Sequence, residues 1–217
     1  SVLRRAIVTP DKHFPLHDQR AINVVCKAIE MIKPDIYIDL GDTGEWELFG
    51  NHHWKNLDRP PDHILIPMLD KSVKQVNDGM SQIDKSLDIV GCEIRHFVQG
   101  NHEVWLDTYA RPRFLTKNAL QLKERGYKYH PYFRKRPLKI GKLNFTHGHR
   151  TGMHHAKAHL MMYGESVMYG HTHDLQRHTH TGLGGTISAW SMGCLKDIKA
   201  DEDWLRGNLT NWNHAFA

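Results

Sequence analysis

Five separated stretches of this chain each end an apolar run with one or two metal-ligating side chains: Asp11-Lys12-His13, Gly41-Asp42, Gly100-Asn101-His102-Glu103, His147-Gly148-His149 and Gly170-His171-Thr172-His173. That recurrence constrains the fold more than any other feature. Ala6 to Thr9 leads to Asp11 and Ile36 to Leu40 leads to Asp42; between them Ile22, Val25, Ile29 and Ile32 recur at helical spacing, with Asp18 as start and Pro34 as stop. This is a βαβ unit. Sites of open α/β sheets lie at the carboxyl ends of the strands, where these ligands fall. Carboxylate, amide and imidazole donors with no thiolate among them suit a pair of divalent cations such as Mn, Fe, Zn or Ni. The residues read as those of a two-metal hydrolase.

Leu69, Val73, Val76, Met80, Ile83 and Leu87 alternate steps of four and three and predict a second helix with one apolar stripe. Ile94 to Gln99 reads as the strand that delivers Asn101 and His102. A further helix is expected from about Leu115 to Arg125, stopped by Gly126. Pro137 to Thr146 reads as a hairpin turning at Gly141, Val167 to Tyr169 as a strand, and Gln176 to Met192 as a second hairpin around Gly182 to Gly185. His154, His155 and His159 fall on an expected helix, with an exposed face expected. His178 and His180 alternate on a strand and are expected to face solvent. His52-His53-Trp54 lies in an irregular stretch from Thr43 to Pro61, expected as a surface loop at the site's lip. Asn211 to Ala217 reads as a strand near its start, with the natural chain expected to run a little further.

In this order the motifs resemble those of the calcineurin-like metallophosphoesterase superfamily, whose pattern is D-x-H, GD, GNH followed by D or E, H, and G-H-x-H. The resemblance spans Asp11 to His173, and the departure is Phe14-Pro15-Leu16, apolar where polar residues usually follow the first motif. It implies an α/β fold, a four-layer sandwich of two mixed β-sheets flanked by helices, in one domain over residues 1–217. It also implies two divalent metal ions, Mn first among them. One would take Asp11, His13, Asp42 and His173, the other Asp42, Asn101, His147 and His171, with Asp42 bridging. A hydroxide shared by the metals would attack the phosphoryl group, so no protein nucleophile is required. By the same resemblance His102 stabilises the transition state or protonates the leaving oxygen, and Glu103 orients it. His147 is taken as the ligand of the fourth motif and His149 as a substrate-side candidate. The small size and Trp-rich tail resemble bacteriophage-encoded members of the family.

A chain of 217 residues with no long apolar stretch and no signal-like start is expected to be soluble, cytoplasmic and free of the membrane. Cys26, Cys92 and Cys194 are odd in number and widely spaced, as buried free thiols would be. The net charge of +5 is segregated: from Arg111 to Lys142 eleven basic residues face one acid, Glu124. Phe114, Tyr127, Tyr129, Tyr132 and Phe133 are threaded through that segment, a composition suited to holding a phosphate backbone and stacking bases. Arg134, Lys135 and Arg136 are its candidate substrate contacts. The favoured substrate is therefore a phosphodiester in single-stranded nucleic acid or nucleotides. A phosphomonoesterase acting on protein or small molecules is the alternative, and a non-catalytic scaffold of the same fold a third.

Overall fold

A computed structural model describes residues 4–50, 54–55, 58–108, 111–133, 136–199, 205 and 207–217. The first sheet is parallel, in the order β1-β2-β3-β4, from Ala6–Thr9, Ile36–Asp39, Ile94–Val98 and Tyr127–His130. The second is mixed, in the order β5-β6-β7-β9-β8, from Leu138–Ile140, Leu143–Thr146, Ser166–Tyr169, Gly185–Ser191 and Arg177–Gly182. Both expected hairpins are present, β5 with β6 and β8 with β9. At the chain's other end, Ala217 exchanges two backbone hydrogen bonds with Val8, at 2.6 and 3.0 Å.

Strand alternation distributes the apolar side chains over separate cores. Val8, Ile36, Ile38 and Val98 of the first sheet, with Leu40 just beyond β2, meet Phe145 and Met192 between the sheets. On the opposite face, Ile7, Tyr37 and Phe97 pack against helices α1 (Gln19–Ile32) and α2 (Asp62–Ile89). Helix α5 (His155–Tyr163) covers the far face of the second sheet through Ala156 and Leu160, against Val167, Tyr169 and Ala189. The result is helices, sheet, sheet and helix, an α/β sandwich of two sheets flanked by helices.

Helix α1 starts where Asp18 accepts the N–H of Arg20 and stops at Lys33 in left-handed conformation, one residue before Pro34. Ile22, Val25 and Ile29 are buried, whereas Ile32 is 42% exposed in the last turn. Helix α2 buries Leu69, Val76, Met80, Ile83 and Leu87 as the periodicity predicts, but begins at Asp62, a turn and more before the stripe. Its Gly79 faces the Phe14 ring so closely that a Cβ there would lie 2.3 Å from Cδ1. The apolar residue after the first motif thus anchors that loop to the helix layer.

Three expectations are corrected. A helix follows β3 directly, α3 (Asn101–Thr108), and the helix expected over Leu115 to Arg125 shortens to α4 (Thr116–Ala119) followed by turns. His155 and His159 are buried at 4% and 0%, because their face of α5 is the one pressed onto the second sheet. Cys92 and Cys194 are buried free thiols, but Cys26 is only half-buried. Of the expected lip, His52 and His53 lie outside the described residues, and Trp54 donates to the Leu48 carbonyl at 2.8 Å. No described helix is long and apolar enough to cross a membrane.

Candidate metal centre

The motif residues sit just beyond β1, β2, β3, β6 and β7, those of the third motif opening helix α3 and the others on turns, and several are bent against their preferred conformation. His13, Asp42, His171 and His173 have φ of 51°, 45°, 74° and 60°. Such backbone typically costs on the order of 1–3 kcal/mol per residue and persists only where its surroundings enforce it. The motif glycines admit the carboxylates. A Cβ on Gly100 would lie 2.1 Å from Asp42 Oδ1, and one on Gly170 would lie 2.1 Å from Asp11 Oδ2. Gly170→Ala should therefore displace Asp11 and weaken metal affinity about 10–100-fold, the usual cost of disturbing what supports a ligand. Calorimetric titration checks this; unchanged affinity would show that Asp11 swings aside freely.

The turns bring six of the predicted ligands into two groups, Asp11 with His13 and His173, and Asp42 with His147 and His171. Asn101, the seventh, joins the second group, its Oδ1 2.9 Å from His147 Nε2. His147 Nε2 is also 3.2 Å from Asp42 Oδ2. Asp11 Oδ1 lies 3.4 Å from His173 Nε2 and 3.9 Å from His147 Nε2, so it reaches towards both groups.

The donor chemistry fits cations. His147 donates Nδ1–H to the Leu40 carbonyl at 2.9 Å, which leaves its Nε2 lone pair facing the oxygens of Asn101 and Asp42. Lone pairs converging in a buried site need a positive charge between them. Burial disfavours charge on His147, yet Asp42 and Asp11 outweigh it and push the imidazole up to about 10; a proton there does what a metal would. His13 donates Nδ1–H to Glu45 at 2.8 Å, and its Nε2 lies 3.1 Å from His173 Nε2. Burial lowers both His13 and His171 to about 4, keeping them neutral as metal binding demands.

Glu103 does something other than orient His102. Its fully buried carboxylate accepts five N–H groups: the backbone of Asp42, Thr43, Gly44 and Gly100, and the Trp46 indole, at 2.8 to 3.2 Å. It clamps the second motif to the third. Asp42 in turn accepts the His102 N–H at 2.9 Å, in the first turn of α3, where free amides favour a carboxylate. The residue that holds His102 is Glu45, whose main-chain carbonyl accepts His102 Nδ1–H. The Glu45 side chain joins His13 and His102 in a third donor group and pairs with buried Lys196 at 3.1 Å. Sequence reading missed Glu45; its position three residues after Asp42 in a short loop is the signal that could have found it.

The expected substrate contacts fare differently. The His149 ring lies against Thr146 Oγ1 and the Tyr163 hydroxyl, at 3.2 and 3.1 Å, and is part of neither ligand group. Arg134 and Lys135 lie outside the described residues, and Arg136 is exposed. Four of the eleven basic side chains of that segment pair with acids from elsewhere: Arg111 with Asp62, Arg113 with Asp70, Arg125 with Asp84 and Lys139 with Glu165. Phe114 and Tyr127 are core residues, 1% and 7% exposed, so they cannot stack bases. Phe133 is 59% exposed. His178 is half-buried and His180 exposed.

The Gene 54 protein of Mycobacterium phage L5 is 26% identical over 241 residues, covering 99% of this chain and 88% of that protein. Among solved structures, Vps29 from Entamoeba histolytica is similar with a TM-score of 0.44 and 14% identity, over 97% of this chain and 82% of that one. The nuclease MPE from Pseudomonas putida is similar with a TM-score of 0.38 and 11% identity, over 92% of this chain and 77% of that one. No protein-family model matches the chain. The two sheets flanked by helices bring the five motifs of this chain together at the carboxyl ends of the strands.

Proposed function

We propose that this protein is a two-metal phosphoesterase that hydrolyses phosphate diesters of nucleic acid or nucleotides. One observation carries the reading: two adjoining groups, each a carboxylate with two imidazoles, built on strand-end turns. Two divalent cations held there would polarise the phosphoryl oxygens and lower the pKa of the attacking water towards neutrality. The chain's own part begins with Asp11, Asp42 and Asn101, whose oxygens supply the hard donors, and with His13, His147, His171 and His173. Asp42 is proposed as the bridge, and a structure with Mn bound tests it against Asp11. His102, its Nδ1–H tied to Glu45, directs Nε2 towards the centre, 3.8 Å from Asp42 Oδ2. There it can donate a proton to the leaving oxygen.

The pairing of four basic side chains with acids favours a second reading, a phosphomonoesterase for protein or small molecules. Activity with Mn on bis-p-nitrophenyl phosphate, p-nitrophenyl phosphate and single-stranded DNA, measured in parallel, separates the two. The diester and DNA are expected to turn over, and log affinity for DNA should fall with log salt at about −0.7 per phosphate neutralised. Cleavage of the monoester alone would favour the second reading. Absence of Mn binding would leave a scaffold.

A further inference from the structure

Helix α5 grips the fourth motif from behind. His159 is fully buried, its ring stacked on Tyr169 with centroids 3.9 Å apart and planes 24° apart. Its Nδ1 lies 2.8 Å from the His155 carbonyl oxygen, so the proton sits on Nδ1 and Nε2 is an acceptor. That acceptor takes the backbone N–H of His149 at 2.9 Å. Across the same turn, the Tyr132 hydroxyl donates to the Gly148 carbonyl at 2.7 Å. The turn needs holding. Gly148 has φ of +120°, and a Cβ there would lie 2.9 Å from the Cβ of His171.

The helix is itself keyed to the fifth motif. His155 donates Nε2–H to Asp174, the residue after His173, at 2.9 Å, and accepts the Tyr169 hydroxyl on Nδ1 at 2.6 Å. A buried chain of side chains thus runs from Asp174 through His155, Tyr169 and His159 to the backbone of His149. None of its members belongs to a donor group.

We infer that His159 is a positioning residue: by holding the His149 N–H it fixes the turn that aims His147 Nε2 at Asp42 and Asn101. The inference deepens the two-metal reading and rests on it for its metal readout. A phenylalanine keeps the ring and its stack on Tyr169 but offers no acceptor, whereas the glutamine amide oxygen can reach the place of Nε2.

The test compares His159→Phe and His159→Gln with wild type, by amide hydrogen exchange at His149 and by calorimetric titration with MnCl2. His13→Ala and His171→Ala identify which binding class is which. In His159→Phe the His149 amide should exchange about 10–100-fold faster, as for a buried donor left unpaired. The class that uses His147 should weaken about 10–100-fold. The class that uses His13 should weaken less than the class that uses His147, because His13 and His173 keep their own supports and the two groups meet only through Asp11 and the proposed bridge Asp42. Glutamine should restore most of both losses. A protected amide and unaltered titration in His159→Phe, or equal impairment by Phe and Gln, would overturn the role. Should the phenylalanine variant fail to fold, His159→Asn replaces it, its shorter amide unable to reach His149. Wild-type protein that takes up no Mn sinks the two-metal reading, and amide exchange at His149 then decides the positioning role alone.

Discussion

Replacing Glu103 with alanine is expected to abolish stable folding. Five donors converge on that carboxylate from the second and third motifs. Each buried donor left without a partner costs about 1–3 kcal/mol. Even if water satisfies some of them, the sum passes the about 4–5 kcal/mol that marks an exceptional substitution. It approaches the whole stability of a typical domain, about 5–15 kcal/mol. Glu103→Gln should fall between, because one amide oxygen can still accept while the NH2 group meets N–H donors head on. Urea denaturation of the three proteins checks the order. A wild-type midpoint for the alanine variant would mean that water reaches these donors and that the clamp is not structural.

His102→Ala is expected to keep both metals and lose turnover by about 10²–10⁴-fold, the usual contribution of a general acid. Its ring is not among the proposed ligands: Asn101 and the other histidines supply those, and Nδ1 is already committed to the Glu45 carbonyl. The Trp105 ring beside it, 4.1 Å between centroids, is left intact by the substitution. Metal content and kcat measured on the same preparation decide the matter. Loss of a metal ion would make His102 a ligand, and near-normal turnover would remove it from the chemistry.

The sequence by itself determined where the candidate metal-ligating side chains stand. A carboxylate or imidazole just past an apolar run stands at a strand's carboxyl end, and both the run and the glycines beside it are local properties, readable without knowing the fold. The βαβ unit and the two hairpins were legible for the same reason, since periodicity and turn chemistry act over a few residues. Only the tertiary structure decided what those residues meet. Arg111, Arg113 and Arg125 looked like a free basic patch because their partners Asp62, Asp70 and Asp84 lie more than 40 residues earlier, and packing against α2 unites them. His155 and His159 looked like an exposed helical face because α5 is polar as well as apolar on its buried side, and Tyr169 of the sheet together with the loops holding His149 and Asp174 supplies hydrogen bonds there instead of a greasy surface. Glu103 reads as a neighbour of His102 in sequence, yet in the first turn of α3 its side chain turns back to the Asp42 loop. Local pattern sets which atoms stand at a strand's end; long-range packing sets their partners, because contacts across many residues cost chain entropy that only the assembled core repays.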